Sequence, residues 1–279
     1  MDNPTRPLRL KWSALTHPGK FRKNNEDAFI ALQLDAEGYQ LLGKVGEQPL
    51  DPNDWVFAVS DGMGGANSGE FASRIAVEKL AELFPRNFRL GAIGIEAPPG
   101  DTLEELYAHI DEKMQQMAFH YEECRGMGAT LSLGWFTPGR MHFAHAGDSR
   151  IYYLPKDGDI RQLTEDHTEI ASRLRKGLIS EYQAKNHPER HILYNVLGGK
   201  NKAVNPQIGT VTYREGDCFL FCSDGMTDGV RPHRIVTLLK SPPPRLAQLI
   251  PSERLFQDAI EESGRDNITV IVVEIQGEP

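Results

Sequence analysis

Apolar residues in this chain fall into two periodicities, and short buried runs dominate. Val56-Phe57-Ala58-Val59 is β-branched and aromatic, and it stops abruptly at Ser60-Asp61-Gly62-Met63-Gly64-Gly65. Such a run, bounded by turn residues, predicts a buried strand that delivers Asp61 to its mouth. Phe219-Leu220-Phe221-Cys222 runs into Ser223-Asp224-Gly225 in the same way, and Phe143-Ala144-His145-Ala146 leads to Gly147-Asp148-Ser149-Arg150. Further strands are expected at Leu8–Leu15 (as an edge strand), Ala28–Leu34, Ile208–Tyr213, Cys218–Ser223 and Ile268–Ile275. Hairpin turns are expected at Thr137-Pro138-Gly139-Arg140 and Lys156-Asp157-Gly158-Asp159.

The helical period appears elsewhere. Phe71, Ile75, Val77, Leu80, Leu83 and Phe84 form a broad stripe that predicts a helix over Glu70–Leu83. A second helix is carried by Leu103, Leu106, Ile110, Met114 and Met117, with Pro85–Asp101 as an irregular connector. Ile235–Leu239 and Leu246–Glu262 read as helical on either side of Pro242-Pro243-Pro244, and Asp35–Asn53 reads as a loop. Thr164–Pro206 is the least strand-like part; it holds charged helical stretches at Glu169–Lys176 and Glu181–Lys185. No internal repeat and no linker divides the chain.

Composition changes this picture little. The chain has 279 residues and the charged fraction of an ordinary globular protein. Its formal charge of −8 argues against a general nucleic-acid binder, which would carry a basic face. Three cysteines without a Cys-x-x-Cys pair suggest neither a disulfide framework nor a zinc site and fit a reducing cytoplasm. No apolar run approaches the ~20 residues of a membrane helix, and the start of the chain, with Asp2, Pro4 and Pro7, lacks a signal peptide's apolar centre. A soluble cytoplasmic protein is expected.

The candidate chemistry lies in the acids at strand ends. Asn25-Glu26-Asp27 opens one strand and Asp266-Asn267 opens the last, adding to Asp61, Asp148 and Asp224. If these converge on one rim they repel, and all can stay ionised only with cations between them. Oxygen donors without His or Cys point to hard divalent ions, Mg²⁺ or Mn²⁺. Asp228 lies four residues after Asp224, within reach of the same rim if the chain there is helical. Arg22 lies four residues before Glu26 and offers a planar fork suited to phosphate oxygens.

In order along the chain, Arg22-Lys23-Asn24-Asn25-Glu26-Asp27, Asp61-Gly62-Met63-Gly64-Gly65, Gly126-Met127-Gly128-Ala129-Thr130, Gly147-Asp148-Ser149-Arg150, Ser223-Asp224-Gly225 and Asp266-Asn267 resemble the motifs of the metal-dependent Ser/Thr protein phosphatases, the PPM or type 2C family. The resemblance implies an α+β fold: an αββα sandwich of two mainly antiparallel β-sheets flanked by helices. It implies one catalytic domain over residues 1–279, with about 165–206 as a flap beside the active site.

It also implies a site. Asp61 would bridge two Mn²⁺ or Mg²⁺ ions, with the Gly62 carbonyl on one and Asp224 and Asp266 on the other. Glu26 and Asp27 would act through bound waters or by orienting the ligands. Asp148 and Asp228, with Asp224, would form a third, weaker site, and Arg22 would clamp the phosphate. The implied reaction is hydrolysis of phosphoserine and phosphothreonine by a metal-bridging water, without a phosphoenzyme. Phosphoproteins and a cognate Ser/Thr kinase are the implied partners, and a monomer is expected. Two departures stand out: Ala129 replaces a Thr common in the family, and Met63 stands where many eukaryotic members have a proton-donating His, which leaves the general acid unassigned and favours a bacterial-type member. Hydrolysis of small phosphate esters or nucleotides is the alternative activity, and an inactive phosphoprotein-binding module the alternative class.

Overall fold

The strand that carries Asp61 has no polar face. Along it Trp55, Phe57 and Val59 point one way and Val56 and Ala58 the other, all essentially inaccessible to solvent. With a side-chain period of two, a strand that is apolar on both faces must lie inside a sheet covered on both sides. In the computed structural model, which describes residues 7–35, 38–64, 68–92, 97–199 and 203–277, that is its position. Gly65 of the glycine-rich turn, the chain start with Pro4, the end of the connector at 93–96 and flap residues 200–202 lie outside the described residues.

In chain order the first elements are β1 (Leu8–His17), β2 (Asp27–Leu34), β3 (Tyr39–Leu41), β4 (Val45–Pro49), β5 (Asp54–Met63), α1 (Ser68–Ala92) and α2 (Pro99–His120). The middle comprises β6 (Gly128–Ala129), β7 (Leu131–Thr137), β8 (Arg140–Ala146), β9 (Arg150–Leu154), β10 (Arg161–Gln162), α3 (Glu169–Arg175) and α4 (Glu181–Lys185). The chain ends with β11 (Gln207–Thr212), β12 (Cys218–Cys222), α5 (Asp224–Gly229), α6 (Pro232–Lys240), α7 (Pro251–Glu262) and β13 (Ile268–Gly277).

Two antiparallel sheets result. One has the order β10-β9-β12-β13-β1-β4 and the other β11-β8-β7-β5-β2-β3, with β6 paired to the end of β5. Trp12, Trp55, Phe57, Phe136, Phe219, Phe221 and Ile271 fill the space between them. Phe136 joins the layers edge-on, its ring 5.2 Å from that of Phe219, a favoured aromatic geometry. The outer face of the β5 sheet packs on α1 and α2 through Val56, Ala58, Leu80, Leu106 and Ile110. The outer face of the β12 sheet packs on α5, α6 and α7 through Leu220, Val270, Met226, Leu238 and Leu255. These are the four layers expected.

Four local expectations change. The first strand is not an edge: β1 pairs with β13 along its whole length and with β4 on its other side. The expected loop at Asp35–Asn53 contains β3 and β4, whose mostly exposed residues give no apolar signal. The first helix continues through Pro85 to Ala92 and shortens the connector; Phe84 packs edge-on to Trp135 at 5.2 Å, and such tertiary burial outweighs the one backbone bond that proline removes. The helix expected from Leu246 begins only at Pro251, which occupies its first turn, where a missing N–H costs nothing. Among the described residues no helix is long and apolar enough to cross a membrane.

Candidate active site

Antiparallel pairing places the end of one strand beside the start of its neighbour, and the acids occupy those ends. Asp27, first in β2, faces Asp61 near the end of β5. Cys222, last in β12, pairs on one side with Arg150 at the start of β9 and on the other with Val270 near the start of β13. Asp148, just before β9, Asp224, just after β12, and Asp266, just before β13, therefore share one rim. Since β5 and β12 stack across the sandwich, both sets of acids gather at the same end, with Asp61 close enough to Asp27, Asp224, Asp148 and Asp266 to feel each charge.

The consequence is electrostatic. Burial and the neighbouring carboxylates hold Asp61 well above the usual carboxylate range, and burial, then Asp224 and Asp166, do the same to Asp148. Asp27 is buried; desolvation pushes it up to about 7, eased by hydrogen bonding from Ser223 and Thr269. Its Oδ2 accepts from Ser223 Oγ at 2.7 Å, and Ser223 Oγ accepts from the Thr269 N–H at 3.0 Å. Asp27 Oδ1 and Asp224 Oδ1 are buried without a hydrogen-bond partner. Buried acceptors of this kind demand a counterpart.

The backbone around the rim is tightly set. Gly62 donates its N–H to the Glu26 carbonyl at 3.0 Å, and a Cβ on Gly62 would stand 1.8 Å from the Gly69 carbonyl oxygen. The Asp61 N–H donates to the Thr130 hydroxyl oxygen at 2.9 Å, and that hydroxyl also meets Ser149 Oγ at 2.7 Å. Gly147 takes φ +114° directly over Thr130, so that the chain can turn into Asp148. Asn267 joins the far side: its side chain accepts the Glu26 N–H at 2.8 Å and donates to the carbonyls of Pro18 and Asn24.

Of the expected residues, Glu26 is half-buried against Gly69, and burial raises its pKa, with Arg22 opposing. Asp228 lies in the last turn of the helical α5, as its spacing required. Arg22 reaches the rim and donates from Nη2 to Asp266 Oδ2 at 2.7 Å. Met63 is 40 % exposed at the mouth. The Ala129 departure is a backbone matter: Ala129 is buried, pairs with Gly62 and exchanges both backbone hydrogen bonds with Leu197.

One residue at the rim was not expected. His191, between α4 and β11, sets Nδ1 3.6 Å from Asp224 Oδ2, and one donor atom from each of Asp148, His191 and Asp224 lies within 4.8 Å of the others. From the sequence no histidine is expected among the rim residues; in a polar, charged segment that also holds His187, His191 gives no signal. The start of the segment between β10 and β11 is fixed by Arg150, whose Nε and Nη2 grip Asp166 at 2.8 and 2.6 Å, and by paired backbone and ring contacts between Gly147 and His167.

The family model described as protein phosphatase 2C matches residues 48–262. Over 225 residues the chain is 34 % identical to the serine/threonine phosphatase stp of Listeria welshimeri, covering 80 % of this chain and 85 % of that one. It is 32 % identical to the serine/threonine protein phosphatase PstP of Mycobacterium tuberculosis across 96 % of its own length, and it spans 45 % of that relative's length. A solved structure of the PstP catalytic domain in complex with two manganese ions superposes with a TM-score of 0.73 at 27 % identity, covering 96 % of this chain and 99 % of that one.

Proposed function

We propose that this chain, which belongs to the protein phosphatase 2C family, hydrolyses phosphoserine and phosphothreonine in proteins with the help of divalent cations. The observation that carries this is the rim itself: Asp61, Asp27, Asp224, Asp266 and Glu26 converge with one guanidinium, and two buried carboxylate oxygens have no hydrogen-bond partner. The site residues fit hard cations. In this reading the Asp61 carboxylate and Gly62 carbonyl, with Asp224 and Asp266, hold two Mn²⁺ or Mg²⁺ ions; Asp148 and Asp228, with Asp224, hold a third. Bound ions of this type lower the pKa of water and neutralise charge on a phosphoryl group.

The chain's own residues supply the rest. Ser223 and Asn267 pin Asp27 and Glu26, so that the acids keep their places as charge changes in the site. Arg22, half-exposed and anchored at Nη2 by Asp266, presents further N–H donors to two phosphate oxygens. No thiol serves as nucleophile: burial pushes Cys222 up to about 12, and Cys124 is buried. Met63 has no proton to give to the leaving alkoxide, so the general acid is a group other than the side chain after Gly62.

We extend the proposal to one catalytic domain over residues 1–279 with a flap at about 165–206, acting as a cytoplasmic monomer that opposes a Ser/Thr kinase. The free thiols among the described residues support a reducing setting. Turnover of a phosphothreonine peptide, an aryl phosphate and a nucleotide, each with Mn²⁺ and with EDTA, tests the activity. Peptide turnover that depends on Mn²⁺ is expected; undiminished turnover in EDTA, or preference for the nucleotide, would refute it.

A further inference from the structure

We infer that His191 completes, with Asp148 and Asp224, a mixed nitrogen–oxygen site for a divalent cation, and that a cation bound there fastens the flap to the acidic rim. This rests on the third ion proposed above at Asp148, Asp224 and Asp228, and adds to that site a ligand of a different kind from a different part of the chain.

The three donors come from three separate segments: the turn before β9, the first residue of α5, and the flap. Their donor atoms lie within 4.8 Å of one another. Ligands bonded to one ion at about 2.2 Å stand about 3.1–4.4 Å apart according to the angle between them, so modest side-chain rotation brings the three donors onto one ion. His191 Nδ1 lies 3.6 Å from Asp224 Oδ2, beyond the usual N–H···O range of about 2.7–3.2 Å. The contact is long for a hydrogen bond, and a cation between the two groups would replace it. Independently, Asp224 Oδ1 is buried with no hydrogen-bond partner, an acceptor that the carboxylates around it cannot satisfy.

His191 does not reach the rim by side-chain length alone. The residues that follow it are sewn to the flap base: Glu169 N–H donates to the Ile192 carbonyl at 3.3 Å, Tyr194 N–H to the His167 carbonyl at 3.0 Å, and Thr168 bridges Leu193. The His167 N–H in turn donates to the Gly147 carbonyl at 2.8 Å, one residue before Asp148. Backbone bonds thus set His191 and Asp148 side by side. Chemically, exchanging one oxygen donor for imidazole moves a site away from Mg²⁺ and toward metals later in the first transition row, Mn²⁺ included. The competing arrangement is a simple imidazolium–carboxylate pair with no metal role.

The full chain, stripped with EDTA, would be titrated calorimetrically with Mn²⁺ and studied by pulsed electron paramagnetic resonance at saturation. Expected is a weak class of Mn²⁺ site beside the tight pair, with directly coordinated nitrogen in the spectrum. His191→Ala should weaken that class by about tenfold or more, leave the tight pair unchanged and abolish the nitrogen coupling. His191→Asp should retain the weak site without the nitrogen coupling and with less preference for Mn²⁺ over Mg²⁺. Tryptic cleavage after Arg190 should slow with Mn²⁺ in the parent chain but not in His191→Ala. Absence of nitrogen coupling in the parent chain, or an unchanged weak site in His191→Ala, would overturn the inference and leave the imidazolium–carboxylate pair in its place. Loss of the tight pair in the parent chain itself would overturn the proposed function, and this site with it.

Discussion

Ser223 Oγ donates to Asp27 Oδ2 at 2.7 Å across a sequence separation of 196 residues, although Ser223 is the N-cap of α5 and makes no side-chain cap bond there. A hydroxyl in that position ordinarily caps the helix. Here it ties the β5 sheet to the β12 sheet at the point where the acids meet.

Replacing Ser223 with Ala would leave a buried carboxylate short of its donor. We expect Ser223→Ala to destabilise the metal-free chain by about 1–3 kcal/mol and to weaken Mn²⁺ binding, since Asp27 would no longer be held. Urea unfolding and calorimetry read the two effects; a change below about 0.5 kcal/mol, the scale of a neutral surface substitution, would mean that water replaces the hydroxyl fully.

Stability without metal should fall as pH rises. Asp27 moves from the ordinary aspartate value of 3.8 up to about 7 in the folded chain, so between these values the native state binds more protons than the unfolded one. The slope of stability with pH is then negative, with the full cost reached above about 7. Asp61 and Asp148 shift in the same direction. Melting temperatures in EDTA should decline from pH 4 to pH 8, less steeply in Asp27→Asn, and saturating Mn²⁺ should recover the loss at pH 8. A Tm in EDTA that rises through this range would contradict the burial of unpaired acids.

Arg22→Ala should lower kcat/KM on a phosphopeptide by about ten- to a hundredfold, which corresponds to the roughly 1.5–3 kcal/mol of a charged hydrogen bond. Because Arg22 is bonded to Asp266, removing it frees that carboxylate, and Mn²⁺ affinity should hold or increase. Arg22→Lys should recover only part of the rate, lacking the planar fork. Parent kcat/KM in Arg22→Ala on both a phosphopeptide and an aryl phosphate would reduce Arg22 to a surface partner of Asp266.

Gly225 allows α5 to lie against the strand that follows Asp266: a Cβ there would stand 2.0 Å from the Asn267 carbonyl oxygen. Gly225→Ala should therefore cost about 1–3 kcal/mol through forced backbone movement and disturb Asp224 and Asp266 together. Chemical denaturation and Mn²⁺ titration would register both. Gly43→Ala, where a Cβ comes no closer than 3.9 Å to its neighbours and φ is not positive, serves as the comparison for a glycine substitution without a clash, with Mn²⁺ binding unchanged.

Local pattern carried what depends on near neighbours. The apolar runs ending in Ser60-Asp61-Gly62 and Ser223-Asp224-Gly225 specify strands with acids at their mouths, because period-two burial and glycine turns are encoded within a few residues. The spacing of Asp224 and Asp228 likewise fixed their shared turn once α5 was helical. The motifs, taken in order, carried the layered fold through their resemblance to a family. Position within a sheet did not follow from such signals: Leu8–His17 lies between two strands because of pairings with Ile268–Gly277 and Val45–Pro49, the latter too exposed to announce itself as a strand. Tertiary structure alone decided which groups meet across long separations. Ser223 found Asp27, Arg22 found Asp266, and His191 arrived beside Asp148 and Asp224 because the segment around it is bonded through His167 back onto Gly147. A side chain's chemistry is written at its own position, but its partners are set by the register of antiparallel strands and by the path of the connections between them.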